Sequence, residues 1–435
     1  MKNTLLLILV IFTIRLCAQQ PAKAYVLSEG GFQTGTSKLG LLNPTDNSFS
    51  ANIFSPGQLG PYPDGLLIYN NYLYIVEQGN YGASGKIYKL DTNGTVLNSA
   101  SVGTNPYSLA ISNGKIYITN GATSKVSVLN LSDFSAVTEI SVGVYPQEIV
   151  ACKNKIFVAN TSLYGGASDS TVSVIDPLQD KVVATLTVRK DPSSLAVSND
   201  GYLLIGCPGD AAYSRIYKVD PVTYAISNSY TIPDYGFGKE IAVDKSGNDI
   251  YFIANSNDVV KYTMTTGSAK VIVPSVFPAN SYYGYTFDPV SHTHYVLDAK
   301  SYTVNGALAI YDSTGQVKQT FTTGIAPRRI VLKYSSTAAG VSESIRTLTQ
   351  YSLLQNYPNP FNPSTTISWE SATRGQVVLR VLDILGNEIK ILQNGEMAAG
   401  SHKVQFDASG LSSGIFYYQL TAPGFSATKK MILIK

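Results

Sequence analysis

From residue 24 to residue 333 the chain repeats one pattern, an apolar and often β-branched run that breaks into a polar tight turn. It appears as Leu41-Leu42-Asn43-Pro44, Tyr88-Lys89-Leu90-Asp91, Val128-Leu129-Asn130, Val174-Ile175-Asp176-Pro177, Lys218-Val219-Asp220-Pro221, Lys261-Tyr262-Thr263 and Ile310-Tyr311-Asp312. Successive turn residues are 48, 39, 46, 44, 43 and 49 positions apart. Each unit also holds a run of the type Lys115-Ile116-Tyr117-Ile118-Thr119-Asn120, preceded by a shorter run such as Asn105-Pro106-Tyr107-Ser108-Leu109-Ala110-Ile111. A period of about 45 residues with room for four short strands predicts the blades of an all-β propeller, seven in number.

The first unit begins at Lys23-Ala24-Tyr25-Val26-Leu27 without an inner strand, and Pro327-Arg328-Arg329-Ile330-Val331-Leu332 follows the seventh unit. The second segment is expected to supply the missing strand and close the ring, leaving only short edges. These units resemble the YVTN-type seven-bladed propellers, bacterial relatives of the NHL and WD repeats. That resemblance implies a fold and says little about a ligand.

The tail is a different kind of sequence. It opens with Gln355-Asn356-Tyr357-Pro358-Asn359-Pro360-Phe361-Asn362-Pro363, passes through Leu385-Gly386-Asn387 and Ser412-Ser413-Gly414, and ends with Lys429-Lys430-Met431-Ile432-Leu433-Ile434-Lys435. Turn signals between alternating runs predict a small Ig-like β-sandwich with hairpins at Gly386 and Gly414. Over its whole length the tail resembles the type A C-terminal sorting domain of the type IX secretion system. The resemblance implies export to the outer cell surface or beyond, the secretion machinery as partner, and a sorting signal carried by Asn359, Pro360, Phe361, Asn362, Pro363, Gly386, Gly414, Lys429 and Lys430.

At the other end, Lys2, the apolar run Leu5 to Ile14, and Leu16-Cys17-Ala18 read as a signal peptide cut after Ala18. The run is shorter than the roughly 20 residues needed to span a bilayer, and no second run approaches that length. Leu16 stands where an acylated cysteine would need a small residue, which argues against lipidation of Cys17. The expected organisation is a signal peptide over 1–18, a propeller over 19–334, a linker over 335–350 and the sorting domain over 351–435. Charged residues are only 14% of the chain and the formal net charge is +3. With no Lys/Arg cluster, nothing points to nucleic acid. Cys152 and Cys207 fall on opposite faces of adjacent blades in the repeat alignment, so two free thiols are expected rather than a disulfide.

In a propeller, the loops between blades share one face with the loops that leave each second strand. The first set carries Tyr62, Tyr107, Tyr145, Arg189, Tyr235, Phe237, Tyr282, Tyr283 and Arg328, and the second carries Phe32, Tyr81, Tyr164, Tyr213 and Tyr302. Aromatic rings supply contact area with a polar tip at low entropic cost. The expectation is an aromatic, sparsely charged funnel, with Tyr62, Tyr107, Tyr145, Arg189, Tyr235, Phe237, Tyr283 and Arg328 as ligand-binding residues.

Glu77, Asn120, Asn160, Asn255 and Asp298 end second strands, where side chains bond the local backbone, and no metal is assigned to them. His292 and His294 fall on the opposite face, in what reads as a solvated hairpin. Asp64, Asp234 and Glu77 could join a carboxylate site, although no spacing singles them out.

The chain is therefore read as a secreted or surface-displayed, non-catalytic binding protein without a cofactor. Its ligand would be a glycan, a corrinoid-like nutrient or a surface protein. Related surface propellers imply the corrinoid option, but they are lipoproteins and this chain carries a different anchor. A protein-interaction or adhesive scaffold is the second reading, and a metal-dependent lactonase- or lyase-like enzyme the third.

Overall fold

The computed structural model describes residues 21–334 and 351–435, apart from 32–34, 56–62, 80–81, 164, 210–211, 277–278, 357, 372–374, 385, 398–399, 424 and 435. The expected signal peptide and linker lie outside the described residues. Contacts divide the chain into two compact units, Met1–Glu343 and Ser344–Lys435.

The first unit is a ring of seven four-stranded antiparallel sheets. Its inner strands are Pro63–Tyr69, Pro106–Ser112, Pro146–Cys152, Ser194–Val197, Phe237–Val243 and Tyr282–Asp288 for blades two to seven, and Pro327–Tyr334 for blade one. Second strands are largely apolar and buried: Leu203–Cys207 is buried throughout, and Lys155–Asn160 from Ile156 onward. They lie mid-sheet, between neighbouring blades on both faces. Outer strands such as Lys181–Thr187 alternate exposed and covered positions, because one face meets solvent.

Each of the seven blade interfaces holds its own apolar cluster. Between blades four and five that cluster includes Cys152 and Cys207, both free and buried. Burial pushes the two thiols up to about 11 and about 12. Cys152 is the last residue of its inner strand, and Cys207 the last of its second strand.

The ring closes as the sequence implies. Pro327–Tyr334 pairs antiparallel with Pro21–Ser28, matching Ala24 to Leu332 and Val26 to Ile330. Ile330 packs between blades one and seven with Val26 and Leu297. At the far end of the closing strand, Tyr334 donates its hydroxyl to Asp288 Oδ1 at 2.7 Å.

The second unit is a two-layer β-sandwich. One sheet holds Ser352–Leu353, Ser364–Ser371 and Gly400–Asp407, and the other Glu388–Met397, Gly375–Leu382, Gly414–Ala422 and Phe425–Leu433. Trp369, Ile367, Phe406, Leu379, Tyr418 and Met431 fill the space between them. Gly386, at φ +86°, belongs to a true hairpin joining paired strands. The Ser412-Ser413-Gly414 segment does not. Gly400–Asp407 pairs with Ser364–Ser371 in one sheet and Gly414–Ala422 pairs with Gly375–Leu382 in the other, so this turn crosses between layers.

Deleting Pro327–Tyr334 should abolish the cooperative unfolding transition of the propeller, because it exposes the edge of Pro21–Ser28 and opens the interface with blade seven. Thermal unfolding followed by circular dichroism would show this. A transition of wild-type midpoint and amplitude would contradict closure by this strand.

Candidate functional site

Six of the seven inner strands begin with an irregularity in their pairing, and in each of the six one of the residues it leaves unpaired shares a destination. The register skips Asp64 in blade two, Tyr107 and Ser108 in blade three, and Gln147 and Glu148 in blade four. It skips Gly238, Glu240 and Ile241 in blade six, Tyr283 in blade seven and Arg328 in the closing strand. Blade five pairs without a skip. A bulge rotates the side chain of the extra residue away from its sheet position. Here the rotated set of Asp64, Tyr107, Glu148, Glu240, Tyr283 and Arg328 meets at one end of the ring axis.

The meeting point is an ion cluster. Arg329 Nε donates to Asp64 Oδ1 at 2.8 Å and to the Asp64 carbonyl at 3.1 Å. Its remaining nitrogens reach Glu148 of blade four and, at 3.4 Å, Glu240 of blade six. Arg328 pairs with Glu240, donates to the Tyr283 carbonyl at 3.1 Å and reaches the Tyr107 hydroxyl at 3.4 Å. Blade four lies across the ring from blade one, so the Arg329–Glu148 pair spans the axis.

Asp64 is 1% exposed and Arg328 is 6% exposed. Burial raises the Glu148 carboxyl above its ordinary range, against the opposing pull of Arg329. Desolvation of this kind is tolerated only when the charges are mutually paired.

Two further charges stand at the edge of the cluster without an ion-pair partner among the described residues. Glu29 leaves the second strand of blade one, is 7% exposed and accepts the Tyr283 hydroxyl at 2.9 Å. Burial, reinforced by the charge of Asp64, pushes its carboxyl up to about 7. Lys239 lies over the Tyr283 ring at 5.0 Å, and burial together with Arg328 brings its ammonium down to about 8. Tyr283 in turn meets the Tyr302 ring edge-on at 5.1 Å, and Tyr302 is 41% exposed.

The backbone on this face is held in the left-handed region at Asn105, Tyr145, Asp191 and Ala326, with φ of 48°, 41°, 58° and 49°. Each stands directly before a proline at or near the start of an inner strand. Positive φ at non-glycine residues is costly and persists where surrounding structure enforces it.

Three of the residues expected from the sequence, Tyr107, Tyr283 and Arg328, come together in this cluster. Tyr62 lies outside the described residues, as do Phe32, Tyr81 and Tyr164. Tyr145 packs its ring on Gly121, where an added Cβ would stand 3.0 Å from it. Tyr235 covers the core between blades five and six. Phe237 is fully buried in that core, its ring 5.5 Å from Phe252 and against Gly206, and presents no ligand surface. Arg189 is exposed beside Cys207 and Tyr217, away from the axis.

The expected sparsely charged funnel is corrected here, because the axis carries Glu29, Asp64, Glu148, Lys239, Glu240, Arg328 and Arg329. Sequence reading missed five of these. The available signal was a charged residue near the start of inner strands that are otherwise apolar, as in Pro63-Asp64-Gly65, Pro146-Gln147-Glu148 and Pro327-Arg328-Arg329.

Of the two histidines, His292 is exposed in the turn as expected, while His294 differs. His294 is 1% exposed, hydrogen-bonded through Nδ1 to the Tyr285 hydroxyl at 2.8 Å and packed among Tyr251 and Phe287. It is a core residue rather than part of a solvated hairpin, and burial brings it down to about 4. Among the second-strand ends, Asn120 and Asn160 donate to Ser127 and to Thr171 and Ser173, while Asp298 accepts from Ser281 and Lys300 backbone amides. Among the described residues, no group of three or more His, Cys, Asp or Glu side chains is arranged to hold a metal.

In the sandwich, two of the expected sorting residues, Asn359 and Phe361, bind the end of the chain. Asn359 Oδ1 accepts the Ile432 amide at 2.8 Å, and Phe361 exchanges backbone bonds with Ile432 and Ile434. Gln355 donates to the Lys430 carbonyl at 2.8 Å.

Residues 23–323 match the family described as Domain of unknown function (DUF5074). The chain belongs to this family. Residues 355–435 match the Secretion system C-terminal sorting domain. That tail makes this DUF5074 protein one exported to the outer cell surface or secreted by the type IX system. No helix among the described residues is long and apolar enough to cross a membrane. No curated protein matches the chain. Among solved structures, this DUF5074 chain is similar to a quinonprotein alcohol dehydrogenase-like protein from Bacteroides thetaiotaomicron. That match has 14% identity and a TM-score of 0.59, covering 72% of this chain and 78% of that one. It is also similar to Kuenenia stuttgartiensis hydrazine synthase, at 14% identity and a TM-score of 0.53 over 63% of this chain and 96% of that one. At this identity the likeness concerns the fold alone.

Glu29 and Lys239 give the stability an unusual pH profile. Glu29 is harder to ionise folded than unfolded, so its contribution is full below pH 4.5 and is lost as pH rises towards 7. Lys239 is harder to protonate folded, so stability lost below about 8 returns as pH rises towards 10.5. Because His294, held down to about 4, loses stability as pH falls below 6.5, the Glu29 contribution is read from the difference between wild type and Glu29→Gln in urea unfolding across pH. That difference should grow between about 4.5 and 7 in favour of Glu29→Gln, by about 3 kcal/mol at most. A Glu29→Gln profile identical to wild type would contradict this arrangement.

Proposed function

We propose that the propeller is a non-catalytic binding module, carried to the outer surface or beyond by its sorting domain. It takes its ligand at the axial end where the bulged inner strands meet. The observation that carries this reading is the construction of that end. Six blades aim polar or aromatic side chains at one point, and their arginines and buried carboxylates are already paired. Such a platform is pre-organised, so little ordering is lost when a ligand docks. Partly exposed Tyr302 and Lys239 stand beside it to make contact. The ligand classes that suit it are a glycan, a corrinoid-like nutrient or a loop of another surface protein.

Glu29 favours a second reading, because a carboxyl near 7 lies in the range used for general acid–base work. Turnover of a lactone or sugar substrate, abolished in Glu29→Gln, would identify that alternative.

A thermal-shift screen of the full chain against glycans, corrinoids, haem and divalent metals tests the binding reading. A ligand at about 100 times its dissociation constant should add about 2.7 kcal/mol. The shift, taken from each variant's own ligand-free midpoint, should shrink in Tyr302→Ala, which removes a 41% exposed ring. A blank screen, together with no partner captured from the cell surface by the full chain, would overturn the reading.

A further inference from the structure

Glu29 and Lys239 both border the Tyr283 side chain and yet do not pair. The Tyr283 hydroxyl donates to Glu29 Oε1 at 2.9 Å, and the Tyr283 ring lies under the Lys239 ammonium at 5.0 Å. Tyr283 thus stands between the two charges. Glu29 is itself fixed by its backbone, whose amide donates to the Ala326 carbonyl at 3.0 Å and whose carbonyl accepts the Ser37 hydroxyl at 2.6 Å. Glu29 Oε2 has no hydrogen-bond donor, and Lys239 Nζ no acceptor, among the described residues. Elsewhere in the cluster each carboxylate has an arginine. An acceptor and a donor of opposite charge, left unmet at the edge of an otherwise neutralised cluster, are what a bridging ligand would complete.

The charges facing this spot decide the ligand class. An anion drawn to Lys239 would meet Glu29 and Asp64, and a cation drawn to Glu29 would meet Lys239 and Arg328. A hydroxyl suits both, since it donates to the carboxylate and accepts from the ammonium while carrying no charge. Adjacent hydroxyls on one ring could serve the two groups together, and the exposed Tyr302 ring beside Tyr283 offers a surface for the apolar face of such a ring. We propose that Glu29, Lys239 and Tyr302 form a subsite for a neutral sugar, whose neighbouring hydroxyls bridge the carboxylate and the ammonium across Tyr283. This rests on the binding reading and names its ligand class.

The test is isothermal titration of the full chain with glucose, galactose, mannose and their trisaccharides, with glucuronate and glucosamine as charged comparisons. Glu29→Gln, Lys239→Met and Tyr302→Ala are titrated alongside, after unfolding midpoints have shown that each variant is folded. The expected result is binding of a neutral sugar that weakens about tenfold or more in Glu29→Gln and in Lys239→Met, since each removes a charged hydrogen bond. Neutral-sugar binding unchanged in both variants would place the sugar elsewhere, overturning the subsite while sparing the binding reading. Preference for glucuronate or glucosamine would overturn the neutral class. Failure of every sugar would overturn the proposal outright, and the binding reading would then stand or fall on the non-sugar arms of the ligand screen.

Discussion

Everything at the axial end depends on two arginines carried by the strand that closes the ring. Arg328 and Arg329 reach Asp64 of blade two, Tyr107 of blade three, Glu148 of blade four, Glu240 of blade six and Tyr283 of blade seven. Without them Asp64, at 1% exposure, would be a carboxylate sealed from water with no cation beside it. Removing one partner of such a pair typically costs about 3–5 kcal/mol. Closure therefore has two parts, the backbone ladder to Pro21–Ser28 and a charge clasp across the axis. The same strand supplies both, which links completion of the ring to assembly of its central site.

The bulges make the clasp possible. An inner strand in regular register alternates its side chains between the two neighbouring blades, and that space is already filled by the seven interface clusters. Skipping residues at the start of six of the seven strands turns a carboxylate, tyrosine or arginine out of that alternation and towards the axis. The left-handed residues before Pro106, Pro146 and Pro327 fix where each strand begins. Glu29 and Lys239 are the exceptions to the charge balance this creates. They border the cluster without joining it, and they carry the pH sensitivity and the proposed ligand contacts.

Much of this fold is legible in the sequence, for reasons that particular residues show. The turns at Asp91, Asp176, Asp220 and Asp312 recur because hairpins in each blade need them, and Pro327 to Leu332 betrays closure because the first unit lacks that strand. The axial site is far less legible. Its members run from Glu29 to Arg329, and for Asp64, Glu148, Glu240 and Arg328 the inward turn depends on skipped pairs that leave no mark in apolar periodicity. Phe237 and Lys239 show the difficulty: two positions apart on one strand, one lies in the blade core and the other at the axis. Tyr145 and Tyr235 show the same limit, since an aromatic ring on a loop packs on a neighbouring blade as readily as it faces a ligand. In the sandwich, the Asn359–Phe361 segment was recognisable as a sorting motif, while its grip on Ile432 and Ile434 became visible only with the terminal strand in place.

The most direct test of the charge clasp is a double-mutant cycle between Arg329 and Glu148, which belong to the closing strand and to the blade across the ring. Urea unfolding of wild type, Arg329→Met, Glu148→Gln and the double variant gives the coupling free energy. The account predicts strong coupling, with the double variant recovering at least about 1.5 kcal/mol of the summed single losses, as for close buried charge pairs. Additive losses, or singles that leave stability unchanged, would mean that the ring closes through its backbone ladder alone.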